Sequence, residues 1–369
     1  IRAIVDHLNG GETIPAADHN PYEAIDSHIS DIDFSQVKGQ FKAKCAMMTA
    51  AAGGHNILLI GPPGSGKSML AKRLPTILPR MSYEEALEAT KIYSCAGMLS
   101  AEIPFVLERP FRSPHHSLST AALVGGGKIP SPGEISLSHN GVLFLDEFPE
   151  FKKDSLEALR QPIEDKCVTI TRAAGRVTYP SSFMLVCAMN PCKCGYYGSL
   201  RGKCTCKSAS IKEYLSRISG PMLDRIDIQV EMPEISFAEL SDTVPSESSA
   251  SVRAKVEAAR EISRERFKAF GDKSYASRAN AHMQTDELRQ FCALDEGCTR
   301  IMENVYNKIN LSARGYDRIL RVARTLADIE FAEGHSSPTE EDGIIGGRLK
   351  KHHLTEAIQM RVLDRKYNL

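Results

Sequence analysis

Apolar positions along this chain form two kinds of run. Between residues 41 and 232, short unbroken apolar stretches alternate with stretches of helical period, and beyond residue 252 only the helical period continues. Phe41 to Ala52, rich in Ala and Met and stopped by Gly53-Gly54, predicts a closely packed helix. Asn56 to Ile60, Gly141 to Glu147, Ser182 to Asn190 and Ile228 to Met232 predict strands. Parallel strands covered on both faces read as continuous apolar runs, so these belong inside a parallel sheet. Helices are expected from Lys67 to about Pro79, from Tyr83 to Ser94 behind a Ser82/Glu85 capping box, from Lys153 to Asp165 with Leu156, Leu159, Pro162 and Ile163 inward, and from Ile211 to Ser219. Cys167 to Tyr179 alternates apolar and polar residues around Ala-Gly, the pattern of a β-hairpin. Residues 109–140 are rich in Gly, Pro, Ser and His and lack a helical stripe, which predicts an insertion made of a hairpin and loops.

These elements predict an α/β core over 34–236. It is preceded by a linker over 1–33 without sustained periodicity and followed by a Ser-, Glu- and Pro-bearing linker over 237–251. A small all-α domain is expected over 252–369, with helices at Val252 to Phe270, Thr285 to Phe291, Asp295 to Asn310, Gly315 to Ala332 and around Leu354 to Leu363, and a loop at 340–347.

Composition narrows the picture little. The chain has 369 residues, a formal charge of zero and 25% charged residues, which fits a globular protein whose contacts with polyanions must come from local patches. No apolar run approaches the roughly 20 residues of a membrane helix, so no membrane partner is expected. Ten cysteines are present, four of them within 192–206, which fits a cytosolic protein with one metal site better than a secreted disulfide scaffold. A chain that starts at Ile1 is expected to be a processed or truncated product.

The chemistry begins where the first strand ends. Gly61-Pro62-Pro63-Gly64-Ser65-Gly66-Lys67-Ser68, followed by Met69, is the phosphate cradle of a P-loop nucleotidase: glycines curl the backbone so that N–H groups face a polyphosphate at a helix start. Lys67 is expected on the β- and γ-phosphates of ATP and Ser68 on Mg²⁺; a chance lysine in a glycine turn would not carry all eight positions. Asp146 and Glu147 close a buried strand, where Asp146 can hold Mg²⁺ and Glu147 can polarise water, whereas a mere solvated turn would not follow such a strand. Asn190 ends the next strand and is a candidate to orient that water.

Cys192, Cys194, Cys204 and Cys206 form two tight knuckles, with nine residues between Cys194 and Cys204. Four thiolates can fill a closed, structural Zn²⁺ site. A redox pair and reduced surface thiols are the alternatives, though a Gly/Lys-rich loop of low hydrophobicity would gain its shape from a metal.

The order of cradle, strand-end Asp-Glu, polar strand end, arginine segment and helical tail resembles the AAA+ ATPases. Within them, RPFRSPHH at 109–116, the hairpins and AMNPCKCG at 188–195 resemble the magnesium-chelatase-like family over Phe34 to Arg365. The resemblance implies an AAA+ αβα sandwich with β-hairpin insertions, a zinc-binding loop and a helical lid. It also implies a homo-oligomeric ring, a hexamer, hydrolysing ATP between subunits and acting on single-stranded or branched DNA in branch migration. By the same resemblance Val37, Gly39 and Gln40 contact adenine, Asn190 is sensor 1, Arg225 is the arginine finger and Arg314 is sensor 2, with Arg217, Arg318 and Arg321 as competitors. By that resemblance a Lon-protease-like N-terminal domain, usual in the family, is expected to be missing from this stretch, with residues 1–20 expected as its trailing end, and Gly343 to Gly347 looks like an atypical insertion.

Local basic residues Arg109, Arg112 and Lys128 in the insertion and Arg172 and Arg176 on the hairpin are candidates for DNA backbone contacts. His115 and His116 are candidates for touching DNA or substrate, or for hydrogen-bonded scaffolding. Two rival functions use the same core: a protein-remodelling motor of the chelatase type, and a nucleotide-gated scaffold. The retained Glu147 speaks against the scaffold, which needs binding but no water activator.

Overall fold

The computed structural model describes residues 2–14, 32–100, 104–172, 175–199, 204–241, 246–272, 274–309, 311–334, 344–361 and 363. Its centre is a sheet of strands β1 (Ile57–Ile60), β2 (Phe111–Arg112), β3 (Val142–Leu145), β4 (Met184–Met189) and β5 (Ile228–Glu231), all parallel, in the order β2-β3-β4-β1-β5. Successive side chains of a strand point to opposite faces. Ile57, Leu59, Phe144 and Val186 therefore join a core with the helix Phe41–Gly53 and the C-terminal helices. Leu58, Ile60, Leu145 and Leu185 join a second core with Phe148, Leu156, Leu159 and Leu215. The result is an αβα sandwich, and the parallel strands bring all their carboxyl ends to one edge, where ligands of such sheets bind.

The helix Ala313–Ala332 packs on both Ser249–Ala269 and Lys351–Gln359, and Ser249–Ala269 and Ala313–Ala332 also pack on Phe41–Gly53. Fully buried charges lock them. Asp328 accepts hydrogen bonds from Arg266, from Arg324 at 3.1 Å and from Asn280 at 2.7 Å, while Arg324 also reaches the carbonyls of Gly346 and Gly347 at 2.6 Å. Buried ions persist only when paired in this way. Two hairpins stand off the sandwich, Gly125–Gly126 with Ser131–Pro132 and Cys167–Arg172 with Gly175–Pro180.

Several elements differ from the sequence pattern. The helix expected to run to Pro79 is two pieces, Lys67–Ala71 and Leu74–Ile77, and the one over 153–165 is split into Lys153–Ala158 and Arg160–Asp165. Pro75 and Pro162 explain both breaks, since a proline ring clashes with the carbonyl four residues earlier and offers no N–H. The 109–140 insertion contains short helices as well, Thr120–Val124 and Glu134–Leu137. They are too short to write a stripe, and only the Ser119 cap marked the first. A helix Arg2–Leu8 with no buried residue lies in the expected N-terminal linker, and Phe237–Ser241 lies in the second one, behind a Ser236/Glu239 capping pair. Residues 15–31 and 242–245 of those linkers, 200–203 of the cysteine loop and 335–343 before Gly346 lie outside the described residues. No helix among the described residues is long and apolar enough to cross a membrane.

Candidate nucleotide site

The carboxyl edge of the sheet gathers most of the residues singled out by sequence. After β1 the chain turns through Gly64 and Gly66, at φ 78° and 89°, where an added Cβ would meet nothing within 4 Å, so the concave side of the loop is open. Lys67 is buried at the base of the loop; its ammonium donates to the carbonyls of Gly61 at 2.7 Å and Pro62 at 2.9 Å and to Asn190 Oδ1 at 3.2 Å. Burial pulls its pKa down to about 8, against the opposing charge of Asp146. Such an ammonium is short of charge compensation, and a polyphosphate supplies it.

Ser68 Oγ, on the helix after β1, donates to Asp146 Oδ2, just beyond β3, at 2.6 Å, so hydroxyl and carboxylate already face one another across the end of β4. Both are hard oxygen donors, the set that Mg²⁺ prefers, and the pair fits that ion. Glu147 follows in the left-handed region at φ 52°, and its carboxylate meets His116 Nδ1 at 3.0 Å. On the other side of the loop, Gln40 donates to the carbonyls of Ser65 at 3.1 Å and Pro233 at 2.6 Å, which ties the Val37–Gln40 segment to the cradle. Val37 is buried, Gly39 lies against Glu239, and Met69 faces outward from the first helical turn.

The arginines lie elsewhere. A cleft at the opposite, amino edge of the sheet is lined by Asn56, Asn140, Ser182, Asp227, Arg225 and Arg314, among others. The four residues of β1 separate the two edges by about 13 Å, so Arg314 does not join Lys67, Ser68, Asp146 and Asn190 in one subunit. Arg225 is held by Glu164 at 2.5 Å and by the carbonyls of Pro221 and Arg160, while Arg314 is exposed. Of the competitors, Arg318 is buried against Asp224 and Asp227, Arg321 donates to the carbonyl of Met283, and Arg217 pairs with Glu150.

Two basic residues of the insertion are structural. Arg109 binds Glu85 and the carbonyls of Pro79 and Asn140, and Arg112 makes a two-pronged pair with Glu134. These pairings engage most of their donors inside the chain, so each has a structural role that the sequence did not mark. Lys128, Arg172 and Arg176 remain exposed.

The four loop cysteines converge, with Sγ atoms of Cys192, Cys194 and Cys204 3.3 to 3.8 Å apart and Cys206 within the same 4.8 Å cluster. Sulfurs at about 2.3 Å from a tetrahedral Zn²⁺ stand about 3.8 Å from one another, so the cluster fits the ion. The knuckle also abuts the cradle. A Cβ on Gly195, at φ 87°, would strike Pro63 at 2.6 Å, and Cys192 lies two residues from Asn190. A second cluster, Glu330 with His352 and His353, is wired differently. His353 Nδ1 accepts from the Lys350 N–H, so its Nε2 carries the proton it gives to Glu330 and is no free ligand.

A parallel sheet in this strand order, with a glycine cradle and an acidic pair on nearby strand ends, is the AAA+ arrangement. Comparison with known proteins narrows the class. The family model of magnesium chelatase subunit ChlI matches residues 33–240 and that of its C-terminal region matches residues 246–342. The chain belongs to this magnesium-chelatase-like family, on its ComM/YifB-like side. It is 43% identical to the protein YifB of Escherichia coli over 98% of this chain and 67% of that one, and 41% identical to competence protein ComM of Haemophilus influenzae over the same shares. It is also 24% identical to the DNA replication licensing factor Mcm6 of Drosophila melanogaster, over 49% of this chain and 18% of that protein. The chain thus spans about two thirds of the length of its bacterial relatives.

Proposed function

We propose that this chain is the motor portion of a ring-forming, hexameric ATPase that works on single-stranded or branched DNA, in branch migration during DNA uptake or recombination. The observation that carries the ATPase reading is the Ser68–Asp146 contact at 2.6 Å beside a buried Lys67 that reaches Asn190 at 3.2 Å. Backbone amides of the glycine loop and Lys67 bind the phosphates, and Val37, Gly39 and Gln40 border the adenine. Ser68 and Asp146 would hold Mg²⁺, which would supply positive charge to neutralise the phosphates. Glu147 takes the proton of the attacking water, and Asn190 fixes that water's direction. Arg225 and Arg314 share the amino-edge cleft, so both act on the phosphates held by the neighbouring subunit. A fixed guanidinium stabilises charge that spreads over the γ-phosphoryl oxygens in the transition state.

Two features support DNA as the cargo: likeness to proteins named as a competence protein and a replication licensing factor, and the exposed Arg172 and Arg176 at the hairpin end. Arg172→Glu with Arg176→Glu is expected to weaken DNA binding and to lower the slope of log affinity against log salt by about 2, roughly one for each phosphate no longer neutralised. Nucleotide affinity is expected to stay unchanged. Fluorescence anisotropy on a forked oligonucleotide across a salt series checks this, and an unaltered slope contradicts it. A chelatase-type protein-remodelling motor shares the same core; ATP turnover that ignores every DNA shape but rises with a protein partner would favour it.

The four-cysteine cluster is assigned a structural Zn²⁺. Elemental analysis is expected to find about one zinc per chain, absent from Cys192→Ser with Cys204→Ser. Because Gly195 abuts Pro63 and Cys192 follows Asn190 closely, the metal-free variant is also expected to bind ATP several-fold more weakly, read by titration with a fluorescent analogue. Full affinity without metal would separate the knuckle from the cradle.

A further inference from the structure

A recess of about 90 Å³ lies where the αβα core meets the helical domain. It shares Gly54, Lys166, Ser182 and His282 with the amino-edge cleft and so opens into it, but Arg225 and Arg314 line only the cleft. One water needs roughly 10–15 Å³ of such space, so the recess has room for a polyatomic ion. Its charged walls are Arg109 and Lys166 from the core, Arg260 from the helix Ser249–Ala269, and a single carboxylate, Glu85; His282 adds an imidazole from the helical domain.

These charges do not balance. Glu85 is committed to Arg109 and to the Ser82 N–H, each at 2.9 Å. Arg260 gives Nε and Nη2 to the carbonyl of Ala51, at 3.3 and 2.9 Å, which fixes its plane and leaves Nη1 without a partner among the described residues. Among the same residues, neither the Lys166 ammonium nor the His282 ring makes a hydrogen bond or an ion pair. The carboxylate that acts on Lys166 is Asp227 in the wider cleft, which also faces His55 at 3.5 Å and Arg318 at 3.6 Å. Burial lowers the pKa of Lys166 and of Arg260, the latter helped by the charges of Arg109 and Arg264. Burial above all, then the positive charge of Lys166 and Arg260, holds the His282 imidazole down at about 3, so it is neutral at pH 7 with one N–H to donate. Lys166 also stands at φ 56°, the left-handed position that closes the helix Arg160–Asp165 and that glycine fills without strain. No contact of its ammonium inside the chain offsets that strain.

We propose that this recess binds a tetrahedral oxyanion of the phosphate class, held by the Lys166 ammonium, Nη1 of Arg260 and the ring N–H of His282. Hydrogen bonds between such cations and an oxyanion are the strong, charge-assisted kind, and the anion supplies the counter-charge that the walls lack. Free phosphate fits the recess alone. The terminal phosphoryl group of a larger molecule fits it with the remainder in the cleft, whose volume is about 1520 Å³. Because the walls come from both the core and the helical domain, the bound anion bridges the two.

Isothermal titration on the full chain, without Mg²⁺ and against chloride at equal ionic strength, tests this. Lys67→Ala, whose cradle lacks its cation, is expected to bind orthophosphate saturably with one equivalent per chain. Adding Lys166→Met is expected to weaken that binding by about 10- to 150-fold, the worth of one charge-assisted hydrogen bond. Lys166→Arg, which keeps the charge, is expected to retain it. In chloride Lys166→Met is expected to melt no lower than its parent, because it removes an unpaired charge. Arg260→Gln is expected to weaken phosphate binding as well and gives a second reading should Lys166→Met fail to fold. Tripolyphosphate that binds more tightly than orthophosphate, through the same side chains, identifies a terminal phosphoryl group as the ligand; equal or weaker binding identifies the free ion. Lys67→Ala without saturable phosphate binding, or with an affinity that neither Lys166→Met nor Arg260→Gln lowers, overturns the proposal.

Discussion

Glu147→Gln is expected to bind ATP with wild-type affinity and to hydrolyse it about 10²- to 10⁴-fold more slowly, the range that a positioned general base contributes. The reasoning is local. Among the described residues the Glu147 side chain makes no bond to the cradle, so the phosphate grip is untouched when its charge goes, and a glutamine amide cannot take a proton from water. Lys67→Ala is expected to do the reverse and weaken binding itself. Its buried ammonium, held near a pKa of about 8, is the positive group at the base of the loop. A charge-assisted hydrogen bond is worth about 1.5 to 3 kcal/mol, or roughly 10- to 150-fold in affinity. Phosphate release and nucleotide titration on the two variants read both effects. Wild-type turnover in Glu147→Gln would contradict the assignment.

Arg225→Ala is expected to leave ATP binding intact and to lower kcat by about 10³- to 10⁵-fold, the contribution of an arginine finger supplied in trans. In the isolated subunit this guanidinium is occupied by Glu164 at 2.5 Å, a carboxylate that is 55% exposed, so a neighbour's phosphate would replace one anion with another. Wild-type turnover per chain is correspondingly expected to rise with protein concentration as the ring assembles. Arg318 and Arg321 are not expected to substitute, because Arg318 is buried against Asp224 and Asp227 and Arg321 is bonded to a carbonyl.

How legible the molecule is in its sequence depends on where the physics is local. Buried parallel strands announce themselves because Ile57–Ile60, Val142–Leu145 and Met184–Met189 are covered on both faces and must be apolar throughout. The cradle, the acids at 146–147 and Asn190 follow from those strand ends. Pro75 and Pro162 break helices at places a stripe of leucines conceals, and Thr120–Val124 is shorter than the period that would reveal it. Pairings between distant segments leave no local trace. Nothing in RPFRSPHH marks Arg109 for Glu85, Arg112 for Glu134 or His116 for Glu147. The motifs point to Arg225 and Arg314 by residue, while only the strand order puts both at the edge away from Lys67.

That separation is the central claim, and mixing two inactive variants tests it most directly. Lys67→Ala and Arg225→Ala are each expected to be silent alone. Combined in equal amounts and allowed to exchange subunits, they are expected to regain turnover at about a quarter of interfaces, where an intact Lys67 face meets an intact Arg225 face in a head-to-tail ring. A mixture that stays silent, or an Arg225→Ala protein that hydrolyses ATP at the wild-type rate by itself, would contradict a site shared between subunits.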